Sequence, residues 1–212
     1  MYRACIKRVL DVLFAVVLLI LLWPLLLLIA LAVRIDSRGP VIFKQARLGL
    51  NGRVFQIYKF RSMCVDAENM GSGVYGDRND TRVTRVGKFL RASSMDELPQ
   101  IWNVLKGDMS FIGPRPPLTY HPWPLDEYTE EQRKMFLVRP GITGWAQIHG
   151  RRRIVWQERI CLSLWYVENL SLWVDVKIFF VTIVKVLTNA DNEEIRPPQI
   201  SDVEHEANKP KG

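Results

Sequence analysis

The sequence is poor in cysteine and histidine, with three of each among 212 residues. Cys5, Cys64 and Cys161 lie far apart and form no CxxC pair, so they provide no disulfide framework. The three histidines show no metal-ligand spacing, which argues against a zinc site. The chain also has no internal repeats. We therefore expect reduced thiols and a cytosolic setting for the folded part of the chain.

Acidic residues are fewer than basic ones, and the formal net charge is +7. Residues 191–212 contain six acidic and three basic side chains, so residues 1–190 carry a charge of +10. Such a basic body favours anionic partners, such as phosphate-bearing substrates, lipid headgroups or nucleic acid. A well-solvated basic surface without a specific partner explains the charge equally well at this stage. The polar, proline-containing tail, residues 190–212, is predicted to be disordered.

A long apolar run occurs at the N-terminus, from Val9 to Val33, with Pro24 near its centre. It is longer than the ~7–15 apolar residues of a signal peptide and long enough to cross a bilayer. A proline inside a helix removes one hydrogen bond and crowds a carbonyl, so it kinks or breaks the helix. Prolines are nevertheless tolerated in spanning helices. The run is therefore either a spanning helix or a re-entrant segment that breaks at Pro24 and returns.

The charges that flank this run favour the re-entrant segment. Basic residues lie on both sides of it: Arg3, Lys7 and Arg8 before, and Arg34, Arg38, Lys44 and Arg47 after. Basic residues near membrane ends favour the cytoplasmic side. A spanning helix would export one of the two clusters, whereas a re-entrant helix keeps both in the cytosol.

A β-hairpin is predicted directly after the membrane segment. The β-favouring runs Val41–Leu48 and Arg53–Phe60 flank Asn51-Gly52, and Asn-Gly is the strongest short-range hairpin signal. Residues 66–82 are polar and glycine-rich, which indicates a mobile surface loop.

Three helices are predicted in the rest of the chain. The stretch "TRVGKFLRASS" indicates a short basic helix with Val86, Phe89 and Leu90 on one side, either packed on a core or lying at a membrane interface. A second amphipathic segment begins near Leu98. The last long helix, Leu172–Leu187, is too charged to span a membrane and is predicted to be a core or interfacial helix.

The stretch "RASSMDELPQIWNVLKGDMSFIGPRPP", residues 91–117, is the densest in chemically useful residues. Ser94 and Glu97 have the spacing of a capping box. Pro99 would then remove a hydrogen bond inside the helix, so a start nearer Asp96 is an alternative. Asp96 and Glu97 would lie at the helix mouth in that case, where the free N–H groups can bind phosphate. Capping and catalysis both remain open for these two carboxylates.

Two proline-flanked arginines are candidates for phosphate binding. Arg115 lies in "GPRPP" and Arg139 in "RPGITG". An arginine held by neighbouring prolines loses little entropy when it binds phosphate oxygens in a bidentate manner. Each could instead form a buried salt bridge that holds a loop.

Four motifs together resemble the bacterial sugar transferase family, and in particular its small monotopic phosphoglycosyl transferases. They are "YKFRSM", "RASSMDELPQIWNVLKGDMSFIGPRP", "RPGITGWAQIHGR" and "LSLWVDVKI", and the likeness runs from about residue 3 to 187. The resemblance implies a mostly helical α+β fold. A re-entrant helix–break–helix in residues 1–38, broken at a proline placed like Pro24, would precede a cytosolic domain in residues 39–189. That domain would contain the small hairpin and interfacial amphipathic helices. Trp23 stands where many relatives have serine.

The resemblance also implies a reaction. Proteins of this family move a sugar 1-phosphate from a UDP-sugar to polyprenol (undecaprenyl) phosphate, giving polyprenyl-diphosphate-sugar and UMP. This is the first membrane step of a bacterial glycan pathway, at the cytoplasmic face of the inner membrane.

Site residues follow from the resemblance position by position. Asp96 would attack the β-phosphate and form a phosphosugar-aspartate, and Glu97, with Asp96, would bind Mg²⁺. Arg115 and Arg139 would clamp phosphate, with Lys59 and Arg61 as weaker candidates. Arg91 and Asp175 would either pair structurally or line the site.

The implied partners are a UDP-sugar, polyprenol phosphate and anionic lipid headgroups. A second copy of the chain or a downstream glycosyltransferase is the protein partner left open. Nucleic acid is not expected, since the chain has no recognition helix or aromatic RNA motif. The alternative function is a single-pass membrane adaptor with a basic lipid-binding domain.

Overall fold

The computed structural model describes residues 2–70, 80–150 and 154–188. It is a mostly helical α+β structure with one long apolar helix at the N-terminus and two small sheets, which confirms the predicted class. The helices are α1 (Lys7–Asp36), α2 (Arg85–Ser93), α3 (Gln100–Lys106), α4 (Glu130–Arg133), α5 (Trp145–His149), α6 (Trp156–Glu168) and α7 (Leu172–Leu187). The strands are β1 (Ile42–Leu48), β2 (Val54–Phe60), β3 (Ser110–Ile112) and β4 (Gly141–Thr143).

Helix α1 is 30 residues long, and by length and composition it could cross a membrane. It runs through Pro24 without interruption, so the predicted break in the helix at Pro24 is wrong. Pro24 lies on the exposed face of α1, as does Ile20, whose carbonyl loses its hydrogen bond to position 24. The defect therefore lies away from the face that packs on the protein. That packing holds both halves of the helix.

Both halves of α1 pack against the folded body of the protein. In the first half, Ala15 is fully buried in a cluster with Val104 and Met109. In the second half, Val33 is buried in a cluster with Phe60 and Leu90. The inner face of α1 is therefore covered by protein along most of its length. The outer face leaves many large apolar side chains exposed.

Polar contacts fasten the N-terminal end of α1. Lys7 Nζ lies 2.7 Å from Asp175 Oδ2, and Asp175 also accepts a hydrogen bond of 2.7 Å from the Tyr166 hydroxyl. Burial and the neighbouring Asp175 raise the pKa of Tyr166, so the hydroxyl stays protonated and donates. Asp11 accepts from the backbone N–H of Phe111 at 3.1 Å.

The C-terminal end of α1 is fastened to the same body. Asp36 Oδ2 accepts a hydrogen bond of 2.9 Å from the backbone N–H of Val86 in α2. The buried guanidinium of Arg61 donates to the carbonyl oxygens of Ser37 at 2.7 Å and Arg38 at 2.8 Å. Both ends of α1 are therefore bound to one folded unit.

The predicted hairpin is confirmed. β1 and β2 pair antiparallel from Ile42 opposite Phe60 to Leu48 opposite Val54. Asn51 and Gly52 have φ values of 55° and 73°, the positive angles for which asparagine and glycine are suited.

The predicted helices α2 and α7 are also found, and α7 has the predicted bounds. Thr84 caps α2 through its side chain, and Ser171 caps α7. Phe89 does not share the buried side of α2 with Leu90, since Phe89 is 63% exposed and Leu90 1%. Most of the predicted 66–82 loop and the 190–212 tail lie outside the described residues.

Candidate active site

The candidate site begins at the tight turn between α2 and α3. Ser94 has a φ of 59°, and Met95–Glu97 form a single 3-10 turn that leads through Leu98 and Pro99 into α3. The Ser94 side chain makes no cap bond to this turn, so the capping-box interpretation is wrong. Pro99 stands just before the first residue of α3, where its missing N–H costs little.

Glu97 is paired with Lys59 across this turn. Lys59 Nζ donates to Glu97 Oε1 at 2.6 Å, and both side chains are less than one fifth exposed. The pairing depends on Asn103, which is fully buried between α3 and β2. Its amide accepts from the Tyr58 N–H at 3.0 Å and donates to the Gln56 carbonyl at 2.7 Å. Asn103 thus sets the position of β2 against α3 and places Lys59 beside Glu97.

The two glycine–proline motifs meet backbone to backbone. Gly113 N–H donates to the Thr143 carbonyl at 2.9 Å, and Gly141 N–H donates to the Pro114 carbonyl at 2.9 Å. A Cβ atom on Gly141 would lie 2.1 Å from the Gly113 nitrogen, so only glycine permits this approach. The parallel pairing of β3 with β4 joins the same two segments. Arg115 is therefore presented beside β4.

A first cleft, here called the polar cleft, lies between the hairpin, the Glu97 turn and the Arg115 loop. Its polar lining includes Arg47, Lys59, Glu97, Gln100 and Arg115. Arg47 also donates to the Pro116 carbonyl at 3.0 Å and so ties β1 to the Arg115 loop. Three cationic side chains and one carboxylate therefore face a common space, which favours an anionic ligand.

Further positive charge lies next to this cleft on α6. Burial and the nearby Arg115 lower the pKa of Arg159 to about 10. Burial lowers the pKa of His121 as well, followed by the charges of Arg47 and Arg159. Arg159 lies 4.7 Å above the ring of Trp156. An anion bound among these arginines would relieve their mutual repulsion.

A second cleft of about 210 Å³, here called the apolar cleft, adjoins the polar cleft at Glu97 and Arg115. Most of its surface is apolar, with Leu18 of α1, Phe111 and Val186 of α7 among the lining residues. Glu97 and Arg115 line both clefts, whereas Asp96 is not among the residues that line either. Asp96 is half-buried and precedes Glu97 in the same turn.

The structure brings Glu97, Lys59 and Arg115 together but places four other predicted residues elsewhere. Arg139 Nε donates to the Gly107 carbonyl at 2.8 Å, at the far end of α3. Arg61 donates hydrogen bonds to the loop after α1. Asp175 is buried between α1, α6 and α7. Arg91 lies in the last turn of α2.

Several residues in or next to the two clefts were not predicted from sequence as site residues. Arg159 lies in a regular helix without a local motif, so only the fold could identify it. Arg47 was assigned to the basic flank of the membrane segment. Gln147, Thr182 and Lys185 in the apolar cleft come from α5 and α7, and no short-range spacing joins them.

A magnesium ion at this site would need ligands from a substrate in addition to the protein side chains. The described residues contain no group of three or more His, Cys, Asp or Glu side chains that could hold a metal. Mg²⁺ is commonly bound by one or two carboxylates together with substrate phosphates and water. Asp96 and Glu97 fit this pattern, with phosphate oxygens as the further ligands.

Comparison with known proteins gives consistent matches. The family model described as bacterial sugar transferase matches residues 2–189. An undecaprenyl-phosphate glucose phosphotransferase from Komagataeibacter xylinus is 48% identical over 185 residues, which cover 84% of this chain and 35% of that protein. A UDP-N-acetylgalactosamine-undecaprenyl-phosphate N-acetylgalactosaminephosphotransferase from Aeromonas hydrophila is 47% identical over 188 residues, 87% of this chain and 44% of that protein. The uncharacterized sugar transferase EpsL of Bacillus subtilis (strain 168) is 43% identical over 184 residues, 87% of this chain and 88% of that protein. The chain thus spans less than half of the first two relatives and most of the third.

Proposed function

The chain belongs to the bacterial sugar transferase family, and on this premise we propose that it is a membrane-bound phosphoglycosyl transferase. It transfers a sugar 1-phosphate from a UDP-sugar to undecaprenyl phosphate and releases UMP, as the first membrane step of a bacterial glycan pathway. One observation carries the proposal beyond the family: the Asp96-Glu97 turn adjoins a cleft lined by Arg47, Lys59 and Arg115. The cleft is small, about 10 Å³, so it would take at most one phosphoryl group of the donor, whose phosphorus is to be attacked by a carboxylate.

The first step uses the two carboxylates of the turn. A carboxylate oxygen of Asp96 forms a bond to the β-phosphorus, and the bond from that phosphorus to the oxygen bridging to the α-phosphate breaks. UMP leaves with the electron pair, and a phosphosugar-aspartate remains. Lys59 and Arg115 balance the charge that develops on the phosphoryl oxygens.

Asp96 and Glu97 would hold Mg²⁺ together with the phosphate oxygens of the substrate. A bound Mg²⁺ supplies further neutralisation of phosphoryl charge. Arg139 and Arg61 are weaker candidates for the phosphate clamp, because each already donates to backbone carbonyls.

We also propose a one-sided membrane association for α1. A spanning helix has its ends on opposite sides of a hydrocarbon layer about 30 Å thick. Both ends of α1 are instead bound to one folded body, through Lys7 and Asp36 among others. This supports a helix whose two ends lie on one side of the membrane, as in the predicted re-entrant topology but without a break in the helix, with the catalytic body at the cytoplasmic face of the inner membrane. The basic body would contact anionic headgroups.

The domain boundaries remain predictions: a membrane segment in 1–38, a transferase domain in 39–189 and a tail in 190–212. Association with a second copy or with a downstream glycosyltransferase is likewise a prediction.

The test is an assay of the purified chain with a panel of UDP-sugars, beginning with UDP-glucose and UDP-N-acetylgalactosamine. We expect UMP release that depends on undecaprenyl phosphate and Mg²⁺. Without undecaprenyl phosphate, the intact mass should increase by one sugar phosphate, and the adduct should map to Asp96. A membrane adaptor would bind anionic vesicles but release no UMP from any donor.

A further inference from the structure

One wall of the apolar cleft is formed by the two helices that expose apolar outer faces. Leu18 of α1 and Val186 of α7 line it. The outer faces of the same two helices expose large apolar side chains, with Leu21 67% exposed on α1 and Leu187 79% exposed on α7. A ligand with an apolar tail could therefore reach the cleft along these helices without passing through water. The polar cleft shares Glu97 with this cleft but has no lining residue from α1 or α7.

The cleft is too small to enclose a long lipid. Its volume of about 210 Å³ lies below the range of about 300–1,000 Å³ that is typical of sites enclosing a drug-sized ligand. Only the head of a lipid and the first part of its chain would fit inside. The rest of the chain would lie against the exposed faces of α1 and α7.

Inside the cleft, one polar side chain lacks a partner. Both amide atoms of Gln147 are buried, and neither has a hydrogen-bond partner among the described residues. A buried amide without partners is unfavourable, so a ligand that binds it gains free energy. Thr182 and Thr143, which also line the cleft, are bonded to each other through their hydroxyls at 2.8 Å.

A cation completes the polar part of the cleft. Lys185 lies in the last turn of α7 and lines the cleft together with Gln147 and Arg115. An ammonium group, a guanidinium group and an amide N–H that face one space are suited to a phosphate. The apolar walls on the α1 and α7 side match an alkyl or isoprenoid chain.

We propose that the apolar cleft binds the phosphate end of the acceptor lipid, with Lys185 and Gln147 holding the phosphate. This inference rests on the function proposed above and adds the place of the second substrate. Because Glu97 and Arg115 line both clefts, a lipid phosphate in the apolar cleft would lie beside the same two side chains as the donor. Since the attacking and leaving oxygens are in line, it would enter on the face of phosphorus opposite the Asp96 oxygen, the face that UMP has left. An oxygen of the lipid phosphate forms a bond to the phosphorus of the phosphosugar-aspartate, and the bond to the Asp96 carboxyl oxygen breaks with its electron pair returning to the carboxylate.

The experiment separates the two half-reactions in lipid nanodiscs. The UMP burst without acceptor measures the donor step, and the KM for undecaprenyl phosphate measures the acceptor site. We expect Lys185→Met and Gln147→Leu to raise that KM by about 10-fold each, the effect of losing roughly one good polar contact. The rate of the UMP burst should stay within about twofold of the wild type, because that step needs no acceptor. Lys185→Arg should restore most of the acceptor affinity.

Lys177→Met is the matched control. Lys177 lies on the same helix, is exposed and stands 5.2 Å over the Trp145 ring, and it does not line the cleft. It should leave both quantities unchanged. Unchanged acceptor KM in Lys185→Met and Gln147→Leu, or an equal loss in burst and acceptor affinity, would overturn the inference.

Two further outcomes are informative. Competition by phosphatidylglycerol against undecaprenyl phosphate would mean that the cleft takes lipid phosphates in general, and the acceptor assignment would be wrong. Absence of any UMP burst in the wild type would instead contradict the proposed function itself.

Discussion

Glu97 and Arg115 line both clefts. The ion pair between Glu97 and Lys59 explains why the side chains of this basic site are held in place. Lys59 is held at 2.6 Å from Glu97 because Asn103 locks β2 to α3. The sequence motifs identified Lys59, Glu97 and Arg115 as candidate site residues. The Asn103 lock could not be predicted, because it joins positions 45 and 47 residues apart in the chain.

The roles of Asp96 and Glu97 can be separated from folding by near-isosteric changes. Asp96→Asn removes the anionic oxygen needed to attack phosphorus, so turnover should fall by about 10³-fold or more. Glu97→Gln weakens metal and phosphoryl binding, so turnover should fall by about 10²-fold. Steady-state UMP release measures both effects, and thermal melting should show intact folds. Near-normal turnover in Asp96→Asn, or an adduct on Glu97, would move the nucleophile to another residue.

The arginines in and beside the polar cleft should bind a nucleoside diphosphate, so we predict that this ligand stabilises the folded protein. At a UDP concentration of about 100 Kd, the thermal midpoint of the wild type should rise by about 5–10 °C. Arg159→Met should lose most of this rise, because it removes a cation beside Arg115. Arg133→Met, an exposed arginine that does not line the cleft, is the control and should keep it. A full rise in Arg159→Met would place the diphosphate elsewhere.

At the scale of elements, the helices and strands that have a local sequence signal were predicted well, whereas pairings between distant segments were not. The β1–β2 hairpin follows from Asn51-Gly52, and α7 follows from its helical pattern and the Ser171 cap. The three-residue strands β3 and β4 pair across distant parts of the chain, so no local pattern reveals them. Arg139 was grouped with the phosphate ligands because a proline flanks it as prolines flank Arg115, and Arg61 because it lies in "YKFRSM", one of the motifs that carry the family resemblance. Their actual partners, backbone carbonyls after α3 and α1, depend on tertiary packing.

Helix α1 shows the limit of reading a proline as a break. Since α1 already runs through position 24, Pro24→Ala should add a hydrogen bond to the Ile20 carbonyl without changing the path of the helix. We expect stability to rise by up to about 3 kcal/mol, measured by thermal or denaturant unfolding. Both ends of α1 should stay on the same side of the membrane. Conversion to a spanning form would show that Pro24, and not the packing of α1 on the body, determines the topology.

At the scale of the whole molecule, the association of α1 with one folded body predicts a one-sided topology. Single cysteines at Ile6 and Ile35, 40% and 85% exposed, would flank the apolar run in a variant with Cys5, Cys64 and Cys161 changed to serine. In intact cells both should resist a membrane-impermeant thiol reagent, and both should react after permeabilisation. Labelling of one site alone in intact cells would demonstrate a spanning helix.

The contacts of Asp175 also determine when the molecule can be completed during synthesis. Its partners Tyr2 and Lys7 precede it by 173 and 168 residues. At about 5–20 residues per second, the ribosome needs roughly 10–30 s to travel from one to the other. For that time the apolar helix has left the ribosome while the residue that fastens its first turn has not been made. With the proposed membrane association, we expect lipid to shelter α1 before the protein does, so that insertion precedes docking onto the catalytic body.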